Sequence, residues 1–423
     1  MRLHGHAGAL RGSAELPGDK SISHRALLHA ALSADESRLQ NVLRAGVTTA
    51  MIACLRQMGV TIKGEGNALT VRGGEWRQPA SPLDCGNSGT TIRLLLGALA
   101  GMPLQVELTG TSGLQRRPMG RVARPLREMG ASISADNAPL SVSGGALRGR
   151  EHHLKTASAQ VKAALLLAGL QAEGPTTIHQ PAPSRDHSER MLRELGINVL
   201  DSANVVKLVP NESPLPPTRL TVPGDFSSAA FLIAAAVLLP GSQVQLGGVG
   251  INPTRTGLLD VLTEMGADIF IENRRKSGGE PVAEITVRHS RLRAVEVRDE
   301  MVVRMIDEFP VFAVLATQAE GVTTVRDAAE LRVKESDRIS ALVSELRRMG
   351  IAITELPDGF SLTGPQQLSA ATVDSHADHR LAMALTVAGL LAHGESSVQG
   401  AEVVRESFPG FAHALRTLGA KIH

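Results

Sequence analysis

Residues 51–62 read Met-Ile-Ala-Cys-Leu-Arg-Gln-Met-Gly-Val-Thr-Ile. Met51, Ile52, Leu55 and Met58 share one face of a 3.6-residue period, so the spacing predicts an amphipathic helix ending near Met58. Gly59 suits the left-handed position just past a helix end, where a Cβ is penalised. Val60-Thr61-Ile62 then alternates as a strand does. The same phrase returns as Met129-Gly130-Ala131, Leu195-Gly196-Ile197, Met265-Gly266-Ala267, Met349-Gly350-Ile351 and Leu418-Gly419-Ala420. The successive glycines stand 71, 66, 70, 84 and 69 residues apart. The helical face before the glycine is repeated too, by Val122, Leu126 and Met129, by Leu258, Leu259, Leu262 and Met265, and by Leu342, Val343, Leu346 and Met349.

Between these phrases runs a second helical pattern, richer in Ala and Leu, beginning near Ser23, Gly89, Ser158, Ser227, Glu308 and His379. Several copies are apolar on most faces, as helices buried inside a domain are. The chain therefore reads as six units of about 70 residues, each with two helices and several short strands. That period is too long for a thin solenoid, so three units per compact domain are expected. A break falls near the proline-rich residues 210–217 and Pro223-Gly224-Asp225. Two α/β domains with a cleft between them are the expected architecture.

Composition narrows the function. In 423 residues, 44 Lys plus Arg face 42 Asp plus Glu, which argues against a general polyanion binder with its clustered basic face. One Trp, eight Phe and no Tyr leave no aromatic platform for stacking bases. Cys54 and Cys85 are the only cysteines, too few for a disulfide framework or a four-cysteine zinc site. No N-terminal apolar run and no stretch of about 18 apolar residues occurs, so a soluble, cytoplasmic protein is expected.

Within a neutral chain, positive charge gathers beside helix starts. Pro17-Gly18-Asp19-Lys20-Ser21-Ile22-Ser23-His24-Arg25 offers Ser21 or Ser23 as a helix cap, with Lys20 and Arg25 adding charge where free amides attract an anion. It lacks the glycine spacing of a P-loop. Cys85-Gly86-Asn87-Ser88-Gly89-Thr90-Thr91-Ile92-Arg93 follows the same logic, its glycines allowing close backbone approach. For both segments the competing reading is a capped helix with solvated basic groups. Arg116-Arg117-Pro118 and Ser184-Arg185-Asp186-His187 put guanidinium groups near further helix starts. Asp307-Glu308 opens an apolar helix, and Lys334 and Arg338, four apart, are expected on one helical face. His376, Asp378 and His379 read as a capping turn rather than a metal site, His152-His153 as surface, and Cys85 as a buried thiol.

Taken together, PGDKSISHRAL, GNSGTTIR, RRPMGRV, SAQVKAALLLAG, SRDHSE, PGDFSSAAF, IDEFPV, RVKESDRI, ADHRLAMA and SFPGF resemble, in order and end to end, the enolpyruvylshikimate-phosphate synthases. The resemblance implies a two-domain inside-out α/β barrel fold, each domain three βαβαββ units. It implies domains of residues 17–222 and of 1–16 plus 223–423, with the active site in the cleft between them. The implied reaction moves the enolpyruvyl group of phosphoenolpyruvate to the 5-hydroxyl of shikimate 3-phosphate and releases phosphate, on the shikimate route to chorismate and the aromatic amino acids. By motif, Lys20, Ser21, Arg25, Ser158, Ala159, Gln160, Ser184, Asp307 and Lys334 would hold shikimate 3-phosphate. Lys20, Gly89, Arg117, Gln160, Arg338 and Arg380 would hold phosphoenolpyruvate. Asp307, Glu335 and Lys20 would carry the proton transfers, with no metal or organic cofactor needed. A monomer with only small-molecule partners, no nucleic acid and no membrane, is expected.

The chain departs from the family pattern at three places. His187 stands where some members have a tyrosine against the shikimate ring, Thr111 where an acidic residue is common, and Arg405 near a C-terminal lysine position. Gly89 followed by Thr90 resembles glyphosate-sensitive members, while Leu94 replaces a proline common among them. The nearest rival reading is the sister enzyme that uses UDP-N-acetylglucosamine, but residues 110–117 lack its loop cysteine. An inactive anion-binding module of the same fold is the rival from another class.

Overall fold

The computed structural model describes residues 1–4, 8–211 and 213–423. Two compact units emerge. One comprises Gly18–Pro223 with Lys276–Glu280; the other comprises Met1–Pro17, Gly224–Arg275 and Pro281–His423, so it holds both chain ends.

In the Gly18–Pro223 unit the plainest repeat runs strand Leu83–Asp84, helix Gly89–Leu99, strand Gln105–Thr109, helix Gly120–Met129 and strands Ser132–Ile133 and Leu140–Ser143. The first two strands pair in parallel across the buried helix, and the rest of the sheet is antiparallel. The repeat spanning Glu151–His153 to Val205–Val209 has the same order and the same pairing. The repeat built around helix Lys20–Leu32 takes its first strand, Arg219–Thr221, from the far end of the unit.

The other unit repeats the plan three times. Strand Arg11–Ala14 pairs in parallel with Gln243–Gly250 across helix Phe226–Leu238. The next sheet is built on Ala319–Val325 around helix Phe309–Thr317. The last joins Thr372–Asp374 and Glu395–Gln399 around helix His379–Leu391, and Arg2–His4 closes it, with Leu3 bridging Ile422. The chain is thus six βαβαββ units in two inside-out α/β barrels.

Local sterics set the repeat. Gly59, Gly130, Gly196, Gly266, Gly350 and Gly419 all have φ between +78° and +120°, ending the six outer helices as the phrase requires. The inner helices are buried on every side: all 13 residues of Phe226–Leu238 are buried. Helix Gly89–Leu99 packs so closely on Ala159–Gly169 that a Cβ on Gly97 would sit 2.2 Å from the Ala164 carbonyl oxygen. Truncating a core leucine such as Leu95 or Leu165, both 0% exposed, would cost about 2–5 kcal/mol.

Several local expectations change. Asp19 rather than a serine caps helix Lys20–Leu32, accepting from the Ile22 amide at 2.9 Å. Ser23 is buried and accepts from the Leu43 amide at 3.0 Å. Lys334 and Arg338 do not share a helical face: a 3-10 helix ends at Val333, and the next helix, Arg338–Arg348, starts after the cap Asp337. His152 is 3% exposed, because strand alternation turns it inward while the His153 side chain faces out. Cys85 is buried beside Cys54, and the hydrogen bond between the thiols, with burial, lifts the Cys85 thiol well above its usual range. No described helix is long and apolar enough to cross a membrane.

Candidate active site

In the Gly18–Pro223 unit, three inner-helix N-termini carry the basic motifs. Lys20 is the first residue of its helix, and Arg25 lies one turn further on, buried. Its Nε donates to Ser188 Oγ at 2.7 Å and its Nη1 to the Ser21 carbonyl at 3.0 Å, while Nη2 reaches the Ala159 carbonyl at 3.5 Å. Burial pulls its pKa down from the ordinary value, against the raising effect of Glu189, Asp19 and Glu280. Arg25 thereby ties the backbone of Ser21 and Ala159, two expected shikimate 3-phosphate contacts, to one guanidinium.

Ser158 caps helix Ala159–Gly169, and Gln160 follows in its first turn. Gln160 Nε2 donates to Thr90 Oγ1 at 2.9 Å and its Oε1 accepts from Arg93 Nη1 at 2.5 Å. Gly89 opens the neighbouring helix, capped by Ser88. A Cβ on Gly89 would lie 3.0 Å from Arg93 Nη1 and 3.3 Å from Arg117 Nη1, so Gly89, Arg93, Arg117 and Gln160 form one cluster. Arg93 belongs here although the motif reading gave it no role; its spacing of four from Gly89 on one helical face is the signal that marks it.

Ser184 is buried, donates to Gln180 Oε1 at 2.5 Å, and its carbonyl accepts from Lys162 Nζ at 3.2 Å. Lys162 is in turn paired with buried Glu189 at 2.5 Å. Burial raises the Glu189 pKa and Lys162 opposes the rise. His187 is buried with Nδ1 2.8 Å from Glu280 Oε1. Thr111 caps the short helix Ser112–Gln115, and Arg405 is exposed on the 3-10 helix Ala401–Glu406.

The other unit assembles the acidic motifs around Arg338, which is buried. Its Nε donates to Asp378 Oδ2 at 2.7 Å, its Nη2 to Glu335 Oε2 at 2.7 Å, and its Nη1 to Asp307 Oδ1 at 3.3 Å. Burial works against the charged form of Arg338, but Asp378, Glu335 and Asp307 outweigh it and its pKa is raised. Arg380 Nη2 lies 3.3 Å from Asp307 Oδ2, and Nη1 donates to the Asp307 carbonyl at 3.2 Å. Asp307 and Glu335 keep partial solvent access, 17% and 24% of their side-chain surface, whereas Asp378 has none. Burial lowers the Lys334 pKa, with Asp307 and Glu330 opposing. Glu308 is buried and accepts from Ser227, which also takes a 2.6 Å hydrogen bond from Arg255.

The arrangement offers cations at helix starts in one unit, and two mostly buried but still solvent-reachable carboxylates on a buried guanidinium in the other. Both suit phosphate and carboxylate ligands and proton movement.

The fold recurs in solved structures. The chain superposes on EPSP synthase from Acinetobacter baumannii with a TM-score of 0.92 at 40% identity, covering 100% of this chain and 98% of that one. It superposes on the enolpyruvyl transferase NikO from Streptomyces tendae with a TM-score of 0.83 at 21% identity, which defines the enolpyruvyl transferase fold. The profile of EPSP synthase (3-phosphoshikimate 1-carboxyvinyltransferase) matches residues 6–415. The 3-phosphoshikimate 1-carboxyvinyltransferase of Geobacter sp. (strain M21) is 48% identical over 97% of both chains. That of Geobacillus kaustophilus is 48% identical over 99% of this chain and 100% of its own. The chain belongs to the EPSP synthase family.

Proposed function

We propose that the two sets of residues serve one substrate pair, phosphoenolpyruvate and shikimate 3-phosphate. As a member of its family the chain is a transferase of aromatic amino acid biosynthesis: it moves the enolpyruvyl group to the 5-hydroxyl and releases phosphate. The observation that carries the residue assignment is the single buried guanidinium of Arg338 holding both Asp307 and Glu335. One group can take a proton while its neighbour gives one, against a fixed positive charge.

In the proposed route Glu335 delivers a proton to the methylene of phosphoenolpyruvate, and positive charge builds at the enol carbon. Asp307 takes the proton of the 5-hydroxyl as its oxygen bonds to that carbon, giving a tetrahedral ketal phosphate. The carbon–oxygen bond to phosphate then breaks as Asp307 passes its proton to the departing phosphate oxygen, a methyl proton returns to Glu335, and the enol ether is restored. Lys20 stabilises the phosphate charge and Lys334 grips the shikimate ring beside Asp307. Lys20, Ser21, Arg25, Ser158, Ala159, Gln160 and Ser184 hold shikimate 3-phosphate. Gly89, Arg117, Arg338 and Arg380, with Lys20 and Gln160, hold phosphoenolpyruvate. Arg338 is already engaged by carboxylates, so a bound anion would share its Nη1 with Asp307. The route needs no metal or organic cofactor. A cytoplasmic, monomeric enzyme accompanies this reading, and the near-neutral charge and scarcity of aromatic residues support the absence of a nucleic-acid partner.

The deciding experiment is phosphate release from phosphoenolpyruvate with shikimate 3-phosphate as acceptor and UDP-N-acetylglucosamine as control. Release that depends on shikimate 3-phosphate is expected. Release only with the sugar nucleotide, or none with either, would sink the assignment.

A further inference from the structure

Strand Glu151–His153 runs parallel to Thr176–His179, with Glu151 opposite Thr177 and His153 opposite His179. Side chains two apart on a strand, and partners across a parallel pair, share a face. Glu151, His153 and His179 therefore project from one face, and His152, between the first two, turns to the core. The two imidazoles stack with centroids 4.4 Å apart and planes 10° apart. Glu151 Oε1 lies 2.7 Å from His179 Nε2 and 3.4 Å from His153 Nε2, and the three ligand atoms all fall within 4.8 Å of one another.

We propose that Glu151, His153 and His179 form a binding site for a divalent transition-metal ion of the zinc type. Two imidazoles and one carboxylate are the donor set such ions take, with water completing a four-coordinate shell. Ligand atoms about 2.1 Å from a tetrahedral zinc stand roughly 3.4 Å apart. The side chains need only tilt out of their stack to reach that spacing. A second observation points the same way. The His179 side chain keeps 32% of its surface, and its Nε2, 2.7 Å from Glu151 Oε1, meets that oxygen as an ion-pair contact out of hydrogen-bond alignment. A cation between that nitrogen and the carboxylate would give both a well-aligned partner.

The location gives the site a consequence. His153 and His179 are the last residues of their strands, and each lies five residues before a proposed substrate contact, Ser158 and Ser184. A bound ion would clip the two strand ends together at the base of both segments. The site does not depend on the reaction proposed above, and its test reads metal binding rather than turnover.

Chelator-stripped protein is titrated with Zn²⁺ by calorimetry, and its melting temperature is followed with and without the ion. One equivalent per chain and a raised melting temperature are expected. Loss of a mere supporting partner of a metal ligand costs about 10–100-fold in affinity, so His153→Ala and His179→Ala should each lose at least about tenfold. Glu151→Gln, at a well-exposed position, should also weaken binding and serves as the second variant if a histidine change disturbs folding. Absence of binding, or binding unchanged in all three variants, would overturn the proposal.

Discussion

Arg338 and Asp378 face each other across 2.7 Å, Nε to Oδ2, with both side chains closed to solvent. The same carboxylate caps helix His379–Leu391, accepting from the Arg380 amide at 2.8 Å. Asp378 therefore fixes one arginine through its side chain and the other through its backbone. Breaking a buried pair from one side leaves a charge uncompensated, which costs about 3–5 kcal/mol. Asp378→Asn keeps a cap oxygen but removes the charge. We expect it to lower the unfolding free energy by that order in a urea titration, and a loss below 1 kcal/mol would show that Arg338 is compensated elsewhere.

Glu335 is held by the same guanidinium, 2.7 Å from Nη2, yet keeps a quarter of its side-chain surface. Glu335→Gln preserves shape and a hydrogen-bond acceptor while removing the transferable proton. Loss of a positioned acid or base typically costs 10²–10⁴ in rate. With both substrates saturating, kcat should fall by about that factor while KM changes little. Turnover near the parent level would remove Glu335 from the proton transfers.

How much of this was legible in the sequence follows from the range of each interaction. A glycine with positive φ and an all-round apolar helix are local features, so Gly59 and its five counterparts, and the six inner helices, could be read directly. The strands that complete the sheets could not. Arg219–Thr221 pairs with Glu36–Gln40, and Arg2–His4 with Glu395–Gln399, across separations no local period encodes. Sequence does not decide the cap of the first inner helix, because Asp19 and Ser21 both suit an N-cap and only backbone geometry chooses. The break after Val333 that separates Lys334 from the helix of Arg338 carries neither glycine nor proline, so nothing local in the sequence marks it. The inclusion of Lys276–Glu280 in the Gly18–Pro223 unit, which brings Glu280 to His187, has no sequence signal at all.

Gly89 tests the cluster in the Gly18–Pro223 unit. An added Cβ would meet Arg93 Nη1 at 3.0 Å and Arg117 Nη1 at 3.3 Å, both ends of flexible side chains that must yield by a few tenths of an ångström. Alanine is the better helix former by about 1 kcal/mol, so Gly89→Ala should fold at least as well as the parent. Displaced guanidinium groups should instead raise KM for phosphoenolpyruvate by roughly tenfold, because small misplacements of binding groups are costly. KM for shikimate 3-phosphate should move less. An unchanged phosphoenolpyruvate KM beside normal stability would remove Gly89 and its two arginines from that subsite.

Acid sensitivity should trace to the first inner helix. Burial lowers the pKa of His24 to about 4 and of His29 to about 3, from 6.5 in the unfolded chain. A depressed folded pKa means the unfolded state binds more protons between those values, so the contribution is whole above pH 6.5 and is lost as pH falls toward 4 and 3. At about 1.4 kcal/mol per pH unit, His29 alone should cost on the order of 3 kcal/mol by pH 4. His29 Nδ1 is buried without a hydrogen bond, so leucine, of similar size, sacrifices no bond at that atom. His29→Leu should match or exceed parent stability at pH 7.5 and show a shallower fall in melting temperature between pH 6.5 and 4. An identical pH slope in parent and variant would place the acid sensitivity in other groups.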